Sequence, residues 1–216
     1  MSSTIEVHVH HDPPAVVASR EKMGVLLLIL ADVAFVASLV FTYLYLRFLN
    51  TEGQWLPDGV VEAVPTLTWV INAILVIGLV AFLVGVSRLK SGDARAFPVM
   101  SGVALVAVIA AAVMQWIQIQ SFAFPQTEAG TFQGTYASSM LILAGANLFH
   151  LLLTVFITLG MTIRSVVGRF AAGALSQPKL GKYWWIWVVA SSIIVGLMTT
   201  FLTQTPYPPS IPMPGN

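Results

Sequence analysis

The sequence predicts an all-α integral membrane protein, a bundle of five transmembrane helices, and three observations carry that expectation. Of 216 residues, 57% are apolar and 9% are charged, against roughly 25% charged in a soluble domain, and the mean hydropathy is +0.85. The apolar residues fall into five long runs, near 23–47, 64–87, 97–120, 135–161 and 184–203. At about 1.5 Å per residue each run can cross a hydrocarbon core of roughly 30 Å. The runs are continuous and do not alternate, which selects helices over barrel strands as the way to satisfy the backbone in lipid.

Residues 1–21 read as a polar N-terminal arm, and its His8, His10 and His11 read as solvated side chains rather than a metal site. The first run is too long for a signal-peptide core, so no cleavable leader is expected. It contains one charged side chain before Arg47, Asp32, which lies about 14 Å into the span. A carboxylate there costs about 2.5 kcal/mol or more to insert. It should be neutral and hydrogen-bonded, or paired with a lipid headgroup or with another subunit. As a functional group it would be a proton-accessible or lipid-contacting acid. As a structural group it would be satisfied by a Ser, Thr or Tyr of a neighbouring helix.

The second run offers Gly78 and Gly85, and the fourth Ala144 and Gly145, as surfaces for close helix approach to a larger subunit. The third run carries Gln115 and Gln118 near its outer end. The fourth carries Tyr136 at its start and His150 in mid-span, with Asn147 one turn earlier. A lone intramembrane histidine could ligate a metal or haem, but ligation needs partners, so an interhelical hydrogen bond is the plainer expectation. Tyr183, Trp184, Trp185 and Trp187 open the fifth run, where they suit an interfacial aromatic belt. Residues 205–216 form a Pro-rich tail, and 22–204 the membrane domain.

Charge sets the orientation. Arg20, Lys22, Arg88, Lys90, Arg95, Arg164, Arg169, Lys179 and Lys182 fall on one side of the five runs, and Arg47 alone on the other. This positive-inside pattern places the N-terminus in the cytoplasm and the C-terminus outside. Cysteine is absent, which excludes disulfides, thiolate metal sites and thiol nucleophiles. No nucleotide loop, catalytic triad or metal-ligand series is present, and nothing points to nucleic acid. Taken alone, the chain has no active site.

The order of its polar residues resembles subunit III of the haem-copper terminal oxidases. The first span has Gly24, then Asp32 with Phe35 three residues on, then Tyr43-Leu44-Tyr45-Leu46-Arg47. The loop Gly92-Asp93-Ala94-Arg95 is similar to the family's Gly-Asp-Arg connection. Gln115 and Gln118 match a Gln-x-x-Glu element. Gly134-Thr135-Tyr136-Ala137-Ser138-Ser139 followed by Gly145-Ala146-Asn147-Leu148-Phe149-His150 resembles Gly-x-Tyr-x-Ser-Ser and Gly-x-His-x-x-His. The likeness covers about residues 22–203, in the short form that lacks the family's first two helices.

The chain departs from the pattern at Asp32 and Gln118, each in place of Glu, and at Asn147, in place of the first His. The opening of the fifth span, Tyr183-Trp184-Trp185-Ile186-Trp187-Val188, lacks the family's His and Asp.

The resemblance implies a non-catalytic subunit in a bacterial plasma membrane. It would hold no haem or copper, because both belong to the catalytic subunit I, and subunits I and II would be its partners. Bound phospholipid, a lipid-filled cleft for O2 access and help with proton uptake are implied too, with Asp32, His150, Tyr136 and Asn147 near the cleft. The complex would reduce O2 with electrons from cytochrome c or quinol. An accessory subunit of a nitric oxide reductase or quinol oxidase is a near alternative. A small transporter using Asp32 as its proton-coupling acid is a distant one.

Overall fold

The computed structural model describes residues 13–49, 55–56, 63–122, 134–168, 170 and 175–203. They form five helices: α1 (Pro14–Leu49), α2 (Pro65–Lys90), α3 (Ala96–Ser121), α4 (Thr135–Val166) and α5 (Ser176–Phe201). Among the described residues there is no strand. All five helices are long and apolar enough to cross a membrane. The 26 residues of α2, α3 or α5 reach about 39 Å.

Helix ends overrun the apolar runs because hydropathy marks the part suited to lipid, whereas a helix continues through polar residues until a cap stops it. Thus α1 begins at Pro14, so residues 14–21 of the expected arm are helical. For the same reason α5 begins at Ser176, well before its tryptophans. The arm's His8, His10 and His11 and the tail 205–216 lie outside the described residues.

Local chemistry fixes the ends of α2. Val64 is extended and Pro65 takes the first helical position, where its missing N–H costs nothing. At the far end Gly92 adopts φ +92°. Its N–H donates to Leu89 O at 3.2 Å, and Asp93 N–H donates to Arg88 O at 3.0 Å. That pair of bonds is a Schellman closure, which a glycine at positive φ permits. It turns the chain into α3 within a few residues.

Helices α2, α3, α4 and α5 make a ring in which each packs against the next and α5 returns to α2. Their core is built from Leu75 and Phe82 of α2, Phe97 and Val108 of α3, Leu151 of α4, and Trp185 and Val188 of α5. Sequential neighbours are antiparallel. Helix α1 stands outside the ring, in the groove between α4 and α5, and touches neither α2 nor α3. Of its most apolar stretch 6% of residues are buried, against 33% to 50% in the other helices.

Two glycines expected to face a partner are used inside the chain. A Cβ on Gly85 would stand 2.9 Å from Met100 Cβ, and one on Gly78 would stand 3.0 Å from Ala107 Cβ and 3.1 Å from Trp185 Cη2. Helices α2 and α3 approach closely at these points because no side chain intervenes. Gly145, by contrast, has open space where a Cβ would be. Gly85→Ala should therefore lower the thermal midpoint in detergent, costing about 1–3 kcal/mol through overpacking. Gly145→Ala should leave the midpoint unchanged or slightly raised, and parallel melts of the two variants check this.

Candidate functional site

Three helices converge on Asp32. Turns of α1 place it one turn from Leu28 and Val36, on the side of the helix that meets α4 and α5. His150 of α4 meets it with Nε2 at 3.0 Å from Asp32 Oδ1, and the Trp187 indole N–H of α5 donates to Asp32 Oδ2. The two side chains are 16% and 3% exposed for Asp32 and His150. Both carboxylate oxygens are thus satisfied within the chain. The partners are a histidine and a tryptophan instead of the Ser, Thr or Tyr that sequence suggests, and no headgroup or second subunit is needed to complete the set.

Aromatic rings wall the histidine. Phe35 stands edge-on to it at 6.4 Å, and Trp184 does the same from α5 at 6.4 Å. A polar stripe continues along α4 at spacings of four: His150, Thr154, Thr158. Thr154 Oγ1 donates to His150 O at 2.7 Å and accepts the Trp184 indole N–H at 2.9 Å. Thr158 Oγ1 accepts the Trp185 indole N–H at 3.0 Å.

The expected interfacial belt is therefore corrected for Trp184, Trp185 and Trp187. They sit two turns or more inside α5, and Trp184 and Trp185 are buried at 4% and 0% exposure. Their N–H groups stitch α5 to α4 and α1, those of Trp184 and Trp185 in buried contacts and that of Trp187 in a partly buried one. Tyr183 does lie at the surface, with Lys182 Nζ 5.1 Å from its ring centroid.

Asn147 and Tyr136 are not part of this cluster. Three residues along a helix leave Asn147 turned about 60° from His150, and it faces α3. Its Nδ2 donates to Gln115 Oε1 at 2.9 Å, Gln115 Nε2 donates to Gln118 Oε1 at 3.2 Å, and Gln118 Nε2 donates to Thr68 Oγ1 at 2.7 Å. This buried chain of amides joins α4, α3 and α2. Tyr136 is fourteen residues from His150, about 21 Å along the axis. It packs edge-on against Trp55 at 5.6 Å, and Trp55 packs in the same way on Tyr43 at 5.5 Å. Tyr43 in turn donates to Leu202 O at 2.9 Å.

A cleft of about 510 Å³ opens between the N-terminal half of α1 and the facing ends of α4 and α5. Gly24, Leu28, Gly160 and Trp184 line it, with Glu21, Arg164 and Gln177 at its mouth. Arg164 Nη1 donates to Gln177 Oε1 at 2.7 Å. Neither Asp32, His150, Tyr136 nor Asn147 lines this cleft, although Leu28 lies one turn from Asp32 and Trp184 touches the His150 ring.

Among the described residues no three His, Asp or Glu side chains gather in a way that could hold a metal ion. The Asp32 cluster is an acid–imidazole–indole junction that clamps α1 to α4 and α5. Thr154 and Thr158 escaped the sequence reading, though they were visible as His150's i+4 and i+8 neighbours, and Trp187 was read as interfacial rather than as a partner of Asp32. The chain matches no protein-family model and no curated protein.

Asp32→Leu should strand the His150 ring nitrogen and the Trp187 N–H and cost about 1–3 kcal/mol for each group left unpaired. Asp32→Asn retains a carbonyl acceptor and should cost distinctly less. Thermal melts in detergent, read by tryptophan fluorescence, measure the order wild type, Asn, Leu.

Proposed function

We propose that the chain is a subunit III-type, non-catalytic membrane subunit of a bacterial respiratory haem-copper oxidase. The observation that carries it is the contact between Asp32 and His150, 118 residues apart in sequence and 3.0 Å apart in space. Both positions carry the family resemblance, and a shared polar junction gives a reason for finding them together. Subunit I would hold the haem and copper and reduce O2, with subunit II as a further partner. In this reading the redox chemistry would run in subunit I, and this chain would act on it only through support of that subunit.

Its own residues would do three things. Asp32, His150 and Trp187 clamp α1 to the ring. The exposed apolar flank of α1, with Phe41 and Leu30 at 68% and 65% exposure, would face lipid and the catalytic subunit. The cleft beside α1 would take a phospholipid, with acyl chains against Gly24, Leu28 and Gly160 and an anionic headgroup near Arg164. The basic ends also favour one orientation: Arg20, Lys22, Arg88, Lys90, Arg164, Lys179 and Lys182 lie at the same end of the antiparallel bundle, which would be cytoplasmic.

Affinity purification of the tagged chain in mild detergent, with mass spectrometry and a visible spectrum, tests the proposal. A larger polytopic subunit should co-purify, bringing a Soret band that leaves with it on separation. A chain recovered only as monomer or homo-oligomer would favour the transporter alternative, and a Soret band that stays with this chain would refute the accessory role. A partner lacking O2 reductase activity but reducing nitric oxide would select the nitric oxide reductase alternative.

In the assembled complex, Asp32→Asn should leave assembly and initial O2 consumption near wild type. Asp32→Leu should lose bound phospholipid and inactivate sooner during sustained turnover. Oxygen-electrode traces and lipid analysis of the purified complexes check both, and loss of initial activity in Asp32→Asn would put the acid on an obligatory proton path instead.

A further inference from the structure

Beside the buried amide chain lie three oxygens that no described residue satisfies. Asn72 Oδ1, Asn147 Oδ1 and Ser192 Oγ have no hydrogen-bond partner among the described residues, yet their residues are 4%, 4% and 1% exposed. They come from α2, α4 and α5 and line one small cavity of about 10 Å³. Unpaired polar groups are costly anywhere in a protein interior and most of all within hydrocarbon.

The bonds already made define what is missing. Asn72 Nδ2 donates to Thr68 O at 3.0 Å, and Asn147 Nδ2 donates to Gln115 Oε1 at 2.9 Å. These bonds fix which end of each amide is the oxygen, and an amide oxygen can only accept. Ser191, Thr199 and Thr200 of α5 return their hydroxyl protons to carbonyls of their own helix, whereas Ser192 does not. The site therefore presents two acceptors and one uncommitted hydroxyl, and a hydroxyl can serve only one of the two acceptors.

We propose that a single buried water is bound here, donating to Asn72 Oδ1 and Asn147 Oδ1 and accepting from Ser192 Oγ–H. Three bonds are the usual number for an internal water, and about 10–15 Å³ by this measure holds one molecule. A metal cation fits poorly: among the described residues no carboxylate lines the cavity, so its charge would be desolvated without compensation. The water has a structural consequence. Ser192 makes no direct bond to the amide chain, so this molecule joins α5 to the run Asn147, Gln115, Gln118 and Thr68 and closes the polar contacts of all four ring helices.

The test is a map of the unmodified chain, crystallised from a lipidic mesophase, at a resolution that orders internal water. The expected result is one peak at about 2.7–3.2 Å from the three oxygens, unchanged when Na+ is replaced by choline. Absence of the peak overturns the proposal, as do amides flipped to bond one another or a peak whose occupancy follows Na+ or K+. Ser192→Val supplies an independent readout, since it fills the cavity and removes the hydroxyl. If water is bound, its expulsion strands two carbonyls and the melting midpoint should fall by about 2–4 °C for each. If the cavity is dry, the midpoint stays level or rises, which contradicts the proposal.

Discussion

A polar side chain placed among these helices has no bulk water to fall back on, so it must find its partner on another helix. That constraint organises the molecule. The Trp184 and Trp185 indoles go to Thr154 and Thr158, Trp187 and His150 go to Asp32, and the amides of α3 and α4 run on to Thr68 of α2. Apolar packing alone discriminates weakly between helix faces when lipid is as apolar as leucine. The hydrogen-bonded pairs supply the register: α4 can slide or rotate against α5 only by breaking two indole bonds.

Small residues act with these bonds. Gly78 and Gly85 bring the α2 backbone close to α3, and the closeness lets a short glutamine reach from Gln118 to Thr68. The ring is thus held by close backbone approach and by amides. The attachment of α1 differs in kind, with few buried residues and polar contacts such as the Asp32 junction and the Tyr43 bond to Leu202 O. A clamp of this sort can hold a helix in place while leaving most of its surface for lipid or another protein.

Much of this was legible in the chain. The five runs predicted the five helices, and Asp32 and His150 stood out as polar positions in apolar surroundings. What could not be read was pairing, because the partner of a side chain 118 or 155 residues away leaves no trace in local pattern. Asn147 and His150 meet different partners because a 60° turn is enough, on a helix with several neighbours, to aim two side chains apart. The tryptophans misled because hydropathy locates the lipid-suited part of a helix and not its first residue, so a cluster at the edge of a run seemed interfacial. Asn72 and Ser192, polar residues within apolar runs, were as visible as Gln115 but carried no spacing that marked them.

The thin seating of α1 bears on how the protein is made. Synthesis delivers α1 ahead of α4 and α5, which carry His150 and Trp187. During that interval Asp32 lacks the two partners it meets in the finished fold, and a carboxyl group entering a bilayer without them would carry an insertion penalty of about 2.5–3.5 kcal/mol. Its long apolar stretch, Val25 to Leu30 and Val33 to Val40, has to outweigh that penalty unaided. The helix that contributes least to the finished core is therefore the one whose sequence must be most self-sufficient at birth.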